Sequence, residues 1–314
     1  MRRLAGVTET KRFKASGGIQ LAGDAAGDPA DPPVLLLHGG GQTRHSWGTT
    51  QSDLAGRGWY VVSLDLRGHG ESDWDPHGDY LLESFAEDVA AVAAQFDRPA
   101  LVGASLGGTS SLAATAIGGP EMARALVLVD VSPYIEPAGV QRIGEFMREH
   151  VETGFGSLDE VADAVAAYNP HRPRPKNLDG LKKNLRQRDG RWYWHWDPAF
   201  MIGRKGSTDE TRVIEDGQRT GSINDALDQP AADGHNSKAH HINQLVDAAE
   251  RLTIPTLLVR GKHSDLLSEE GAQKFLALVP HAKYVNVAEA GHMVAGDRND
   301  LFNDAVVSFL TSLD

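Results

Sequence analysis

A series of short aliphatic runs constrains this chain more than any other feature. They are Pro33–Leu37, Tyr60–Leu64, Ala100–Val102, Ala125–Val129, Pro255–Val259 and Tyr284–Val287. None alternates apolar with polar residues, as a strand with one wet face would. Unbroken apolar strands belong to sheets covered on both faces, typically parallel sheets whose crossovers are helices. Between the runs the period becomes helical. Phe85, Val89, Val92 and Phe96 fall four, three and four apart, and Phe302, Ala305, Val306, Phe309 and Leu310 form a second stripe. The pattern predicts an α/β fold, with a mostly parallel central sheet flanked by helices. Lys11–Ala15 and Gly18–Gly23 fit an antiparallel hairpin at one sheet edge.

The rhythm stops between about Pro133 and Leu252, where no strand-like run appears. Ser157 with Glu160 is a capping box that opens a helix carrying Val161 and Val165. Pro170, Pro173 and Pro175 make a stiff connector, and Leu178, Leu181 and Leu185 mark a further short amphipathic helix. The core is therefore assigned to residues 1–132 and 253–314, and a mostly helical cap to the insertion 133–252.

Composition excludes several functions. A net charge of −12 is a poor match for nucleic acid, whose phosphates are bound by Lys and Arg. With no cysteine there is no disulfide framework, thiolate metal site or Cys nucleophile. No apolar run approaches the roughly 20 residues that cross a bilayer, and no apolar segment follows the basic start at Arg2 and Arg3. The expectation is a soluble, cytoplasmic protein acting on a small molecule, without membrane or nucleic-acid partners.

Gly103-Ala104-Ser105-Leu106-Gly107 directly follows one aliphatic run and precedes a helix of small residues. This G-x-S-x-G pattern is a nucleophile elbow: small residues permit a tight strand-to-helix turn, and the serine hydroxyl is lifted above the sheet. A second motif, His38-Gly39-Gly40-Gly41, follows Val34–Leu37. No Lys-Ser/Thr follows, so it is not a phosphate-binding P-loop.

These two motifs and their order resemble the α/β-hydrolase fold superfamily, in particular serine esterases and cofactor-free haloperoxidase-like members with a cap. The resemblance covers roughly residues 33–130 and 254–310. It implies Ser105 as nucleophile, and oxyanion donors at the N–H groups of Leu106 and Gly40, with Gly39 and Gly41 as lesser candidates. His292, in the loop after the last strand run, becomes the base, and His38 a structural member of the oxyanion loop. Asp265 occupies the position most often used for the acid and is the expected acid, giving the order Ser105, Asp265, His292, while Asp130 occupies the position used by some relatives. The turn Asp65-Leu66-Arg67-Gly68-His69-Gly70-Glu71-Ser72 also matches the family and is read as structural, Asp65 and Arg67 pairing or bonding backbone nearby. A serine at the elbow speaks against epoxide hydrolases and haloalkane dehalogenases, which use a carboxylate there.

The implied activity is cleavage of a small carboxylic ester through an acyl-enzyme on Ser105. Lactone opening, C–C bond hydrolysis and perhydrolysis use the same triad, and a non-catalytic small-molecule receptor is the alternative from another class. Residues 171–191 hold eight Lys/Arg against two Asp. Solvated ion pairs explain this most simply, and selection of a substrate carboxylate is the sharper reading. Trp192, Trp194 and Trp196 share one face if the backbone is extended. They then anchor the cap or line an aromatic substrate site. His235, His240 and His241 lack metal-ligand spacing, so neither a metal nor a cofactor is expected.

Overall fold

The computed structural model describes residues 8–168, 174, 178–203, 212–214, 218–222, 237–292 and 299–313. Its strands are β1 (Glu9–Lys14), β2 (Gln20–Ala26), β3 (Pro33–Leu37), β4 (Tyr60–Leu64), β5 (Ala100–Ala104), β6 (Ala125–Val129), β7 (Leu185–Arg188), β8 (Arg191–Trp194), β9 (Arg212–Ile214), β10 (Gln218–Thr220), β11 (Thr256–His263) and β12 (Lys283–Gly291). Its helices are α1 (Gly48–Gly56), α2 (Leu82–Ala93), α3 (Leu106–Gly118), α4 (Pro137–Glu149), α5 (Leu158–Tyr168), the single turn α6 (Ala199–Ile202), α7 (Ser237–Glu250), α8 (Glu269–Leu278) and α9 (Asn303–Thr311).

One eight-stranded sheet runs in the order β1-β2-β4-β3-β5-β6-β11-β12. The pairs from β4 to β12 are parallel, and β2 is antiparallel to both β1 and β4, which makes the expected edge hairpin. Alternate residues of the central strands β3, β4, β5, β6 and β11 enter different cores. Val34 and Leu36 of β3 pack with Leu54 of α1 and Val306 and Leu310 of α9. Leu35 and Leu37 join Phe85 and Val89 of α2 and Leu112 of α3 on the other face. Both faces are covered, so both residue sets must be apolar. That is why the strands carry no alternation.

The chain runs from β3 outward to β4, then returns to lay β5 on the other side of β3. Loops leaving β3 and β5 therefore diverge, and a crevice opens at their carboxyl ends. The sheet's topology thus places the Gly39–Gly41 loop beside the Ser105 turn.

Between β6 and β11 the described residues include α4, α5 and α7 as helices, but also an antiparallel hairpin, β7–β8, and an antiparallel strand pair, β9–β10. This corrects the expectation of an insertion without strands. The Leu178–Leu185 stretch is not a helix: a 3-10 turn at Leu181–Asn184 leads straight into β7. The hairpin turn is Asp189-Gly190, both residues at positive φ (51° and 76°). Such φ values suit the tight turns that Asp-Gly favours. The forward half of the capping box forms, Ser157 Oγ accepting the Glu160 N–H at 3.1 Å, while the Glu160 carboxylate accepts the N–H of Gly156, one residue before the cap, at 2.5 Å. The proline connector at Pro170, Pro173 and Pro175 lies outside the described residues.

The insertion is seated on the core by main-chain hydrogen bonds. Gly70 donates to the His195 carbonyl and Asp197 to that of Gly68, each at 2.7 Å, and His69 bridges to Trp196. The receiving turn is held by buried ion pairs. Arg67 clamps Asp88 through Nε at 2.6 Å and Nη2 at 2.8 Å, and Asp65 pairs with Arg44. Asp65 and Arg67 thus take other partners than each other. Burial raises the Asp88 carboxyl above the ordinary carboxylate range, against the pull of the Arg67 guanidinium.

Candidate active site

Ser105 joins β5 to α3 at φ 46°, ψ −115°, a conformation rarely occupied by a residue with a side chain. The neighbours explain the glycines around it. A Cβ on Gly103 would land on the Gly107 carbonyl, and one on Gly107 would land on that of Leu37. With those side chains absent, α3 packs tightly over β3 and β5. The backbone is pinned by the Ser105 N–H donating to Val129 O at 3.1 Å and by the Ser105 carbonyl accepting from Gly108 and Thr109, each at 2.9 Å.

Against this turn lies the glycine loop. A Cβ on Gly39 would sit 3.4 Å from that of Ser105, and one on Gly40 would sit 4.0 Å from Leu106 Cδ2. Gly41 occupies positive φ (77°), which favours glycine. Among the described residues, no hydrogen-bond acceptor is assigned to the Gly40 or Leu106 N–H, whereas Gly39, Gly41 and Gly107 all donate. Two unspent donors beside a serine hydroxyl are what a developing oxyanion requires. This favours Gly40 over Gly39 and Gly41, the two lesser candidates.

Two buried imidazoles brace this loop. His38 Nε2 accepts the Leu66 N–H at 3.0 Å while its Nδ1–H donates to the Gly39 carbonyl at 2.7 Å. His69 Nε2 accepts the Gly41 N–H at 3.1 Å, and its Nδ1–H donates to the Arg67 carbonyl at 2.9 Å. Each ring needs one bare nitrogen, so both are neutral. Burial agrees, pushing His38 down to about 4 and His69 down to about 3. The unfolded chain takes up protons on these rings near pH 6.5, the fold only at the lower values. Stability is therefore complete above about pH 6.5 and falls as pH drops towards 4. His38 alone contributes about 3 kcal/mol across its shift, from 6.5 to about 4, at roughly 1.4 kcal/mol per pH unit. Urea unfolding midpoints at pH 7.5 and 4.5 measure this; equal midpoints would show that the rings accept protons in the fold.

His292 follows β12 and is buried. Its Nδ1–H donates to Asp130 Oδ2 at 2.8 Å. Asp130 ends β6 at positive φ (56°) and reaches beyond β11, which lies between β6 and β12. The same carboxylate accepts the Ser264 hydroxyl at 2.7 Å and the Gly261 N–H at 2.9 Å. The carboxylate that meets His292 is therefore Asp130 and not the expected Asp265. Asp265 is directed away, its Oδ2 2.9 Å from Arg142 Nη1 on α4. The physical cause is the turn after β11: Ser264 Oγ accepts from the backbone N–H groups of Leu266 and Leu267, and its hydroxyl turns to Asp130, so the next carboxylate faces outward.

Ser105 and His292 line the same cavity, of about 170 Å³. No hydrogen bond joins the serine hydroxyl to the imidazole; such contacts commonly tighten only around substrate. The walls are apolar and come mostly from the insertion: Pro137, Val140, Ile143 and Met147 of α4, Phe200 and Met201 of α6, Ile242 and Leu245 of α7. Sequence reasoning missed all of these, because nothing local distinguishes a helix face turned to a cavity from one turned to a core. The wall also holds His241, whose Nε2 lies 3.1 Å from Glu83 Oε1 on α2.

Trp192, Trp194 and Trp196 do not line the cavity. Trp194 packs on Phe146 and Phe155, with ring centroids 5.8 and 5.1 Å away. Trp192 pairs its backbone with Phe155, and Trp196 backs Phe200 at 6.0 Å. They anchor the insertion, and Trp196 backs the cavity wall through Phe200. Gly39 and Gly41 are likewise absent from the lining. None of the described cations of 171–191 lines the cavity: Arg174 pairs with Asp159 and Asp163, Lys182 with Asp179, and Arg186 stacks on Trp74. Among the described residues no cluster of three or more His, Asp or Glu could hold a metal, and no helix is long and apolar enough to cross a membrane. His235, and the side chain of His240, lie outside the described residues.

Comparison with known proteins agrees with this fold. The family model of the alpha/beta hydrolase fold matches residues 32–298. The chain belongs to that family. An esterase of Mycobacterium tuberculosis, Rv0045c, is 28% identical over 279 residues, covering 85% of this chain and 78% of its own. The 3-hydroxybutyrate-oligomer hydrolase of Cupriavidus necator is 28% identical over 277 residues, covering 85% of this chain and 84% of its own. Among solved structures, that of E-2-(acetamidomethylene)succinate hydrolase superposes with a TM-score of 0.75 at 23% identity, covering 97% of this chain and 100% of that one.

Proposed function

We propose that this hydrolase-fold protein cleaves small, uncharged carboxylic esters through an acyl-enzyme on Ser105. The observation that carries the reading is the juxtaposition in one apolar cavity of a serine on a strained elbow and an imidazole oriented by a buried carboxylate. With Nδ1–H committed to Asp130, the His292 ring keeps Nε2 as its basic nitrogen. Ser105 Oγ attacks the ester carbonyl carbon as Nε2 takes its proton. The carbonyl oxygen becomes an alkoxide received by the Gly40 and Leu106 N–H groups. Collapse breaks the bond to the alcohol, which leaves with the proton from Nε2. Water then attacks the acyl-serine by the same steps, releasing the carboxylic acid. Asp130 stabilises the imidazolium formed in each half. The relative named as an esterase supports an ester as the bond cleaved.

The cavity wall selects for apolar groups, since no Lys or Arg lines it among the described residues. Nitrophenyl esters of butyrate and of succinate, which share a leaving group, test this. The neutral butyrate is expected to be hydrolysed at least about tenfold faster in kcat/KM, as a carboxylate loses hydration without gaining a partner. The ratio is expected to be insensitive to salt. Preference for the succinate ester, suppressed by salt, would instead assign the basic residues of 171–191 to substrate binding.

A further inference from the structure

We infer that His69 is a positioning residue that sets the oxyanion loop and ties its geometry to the seat of the insertion. The inference rests on the esterase reading above but concerns a residue outside the cavity lining. His69 is fully buried and makes contacts in three directions. Its Nε2 accepts the Gly41 N–H at 3.1 Å, which fixes the peptide next to the Gly40 donor. Its backbone bridges to Trp196, within the three-residue seam where Gly70 and Asp197 exchange hydrogen bonds with His195 and Gly68. Its ring meets the edge of Phe200 at 4.7 Å, and Phe200 Cζ lies 3.4 Å from where a Cβ on Gly40 would be. Of the two imidazoles that brace the oxyanion loop, His69 is the one that also rests on the insertion.

The ring can do this only as one tautomer. Nδ1–H is spent on the Arg67 carbonyl at 2.9 Å, which leaves Nε2 as acceptor. Protonation would set an N–H against the Gly41 N–H. Phenylalanine at this position keeps the ring contact with Phe200 and removes the Nε2 acceptor together with the Nδ1–H that the Arg67 carbonyl accepts. Glutamine restores an acceptor oxygen on a chain of similar reach.

The test uses the full chain, with active sites counted by a fluorophosphonate. His69→Phe is expected to lower kcat for nitrophenyl butyrate by roughly 10- to 100-fold, the scale of an ångström-sized misplacement at a reacting centre. KM is expected to hold within about twofold, and affinity for a boronic acid, whose tetrahedral adduct occupies the oxyanion position, to fall with kcat. His69→Gln is expected to recover most of the loss. A raised KM with unchanged kcat, or an unchanged kcat, overturns the inference. Should His69→Phe not fold, the ¹⁵N shifts of the wild-type ring decide. A bare Nε2 and a protonated Nδ1 from pH 5 to 8 support the assignment, and a protonated Nε2 overturns it. A wild-type protein that neither labels nor hydrolyses esters would overturn the esterase reading instead.

Discussion

Ser105→Ala is expected to lower kcat for nitrophenyl butyrate by about 10⁵- to 10⁶-fold, the largest effect of any single substitution in this chain. Without Oγ there is no acyl-enzyme, and His292 and Asp130 are left with no hydroxyl to activate. Loss of a triad serine commonly costs about as much as loss of the whole triad, because the members act as one unit. The residue left over water, roughly 10³-fold, comes from the oxyanion donors and from binding. The fold is expected to persist, since the Ser105 hydroxyl makes no hydrogen bond within the described structure and its backbone bonds do not depend on the side chain. Steady-state rates on protein whose urea midpoint matches wild type measure this. A loss below about a hundredfold in kcat would be too small for a covalent nucleophile and would assign the chemistry to another group.

The second large effect separates two aspartates. Asp130→Asn is expected to lower kcat by about 10⁴-fold. An amide in this place can present its N–H₂ to Nδ1, which flips the imidazole to the tautomer whose Nε2 carries the proton and cannot accept one from serine. It also removes the negative charge that stabilises the imidazolium. Asp265→Asn is expected to change kcat by less than about twofold. Its ion pair with Arg142 is half-exposed, and such pairs contribute about 0–1 kcal/mol. The contrast is independent of stability provided both variants are compared as folded protein, because Asp130 also accepts the Gly261 N–H and Ser264 hydroxyl that brace β11.

The frame of the molecule was legible because its signal is local. Pro33–Leu37, Tyr60–Leu64 and Ala125–Val129 are strands at the very bounds their aliphatic runs indicate, and the elbow glycines announce a turn that no larger residue permits. The acid was not legible, because both candidates follow aliphatic strands that end side by side. Which carboxylate meets His292 depends on the register shift in β11 between Gly261 and His263 and on the Ser264 hydroxyl, neither of which has a local pattern. Within the insertion, the charged β7 concealed a strand, although Asp189-Gly190 offered the turn signal. The tryptophans pointed to burial, correctly for Trp194 and Trp196, but burial does not say whether a ring faces a core or a ligand.

The claim on which the account depends is that Asp130, His292 and Ser105 form one catalytic unit. The rate of covalent labelling by a fluorophosphonate, read by mass and located by peptide mapping, tests it without any assumption about the natural substrate. A single adduct on Ser105 is expected, formed at least about 10³-fold more slowly in Asp130→Asn and at the wild-type rate in Asp265→Asn. Labelling of another residue, or a rate that falls with the change at position 265 and not at 130, would contradict it.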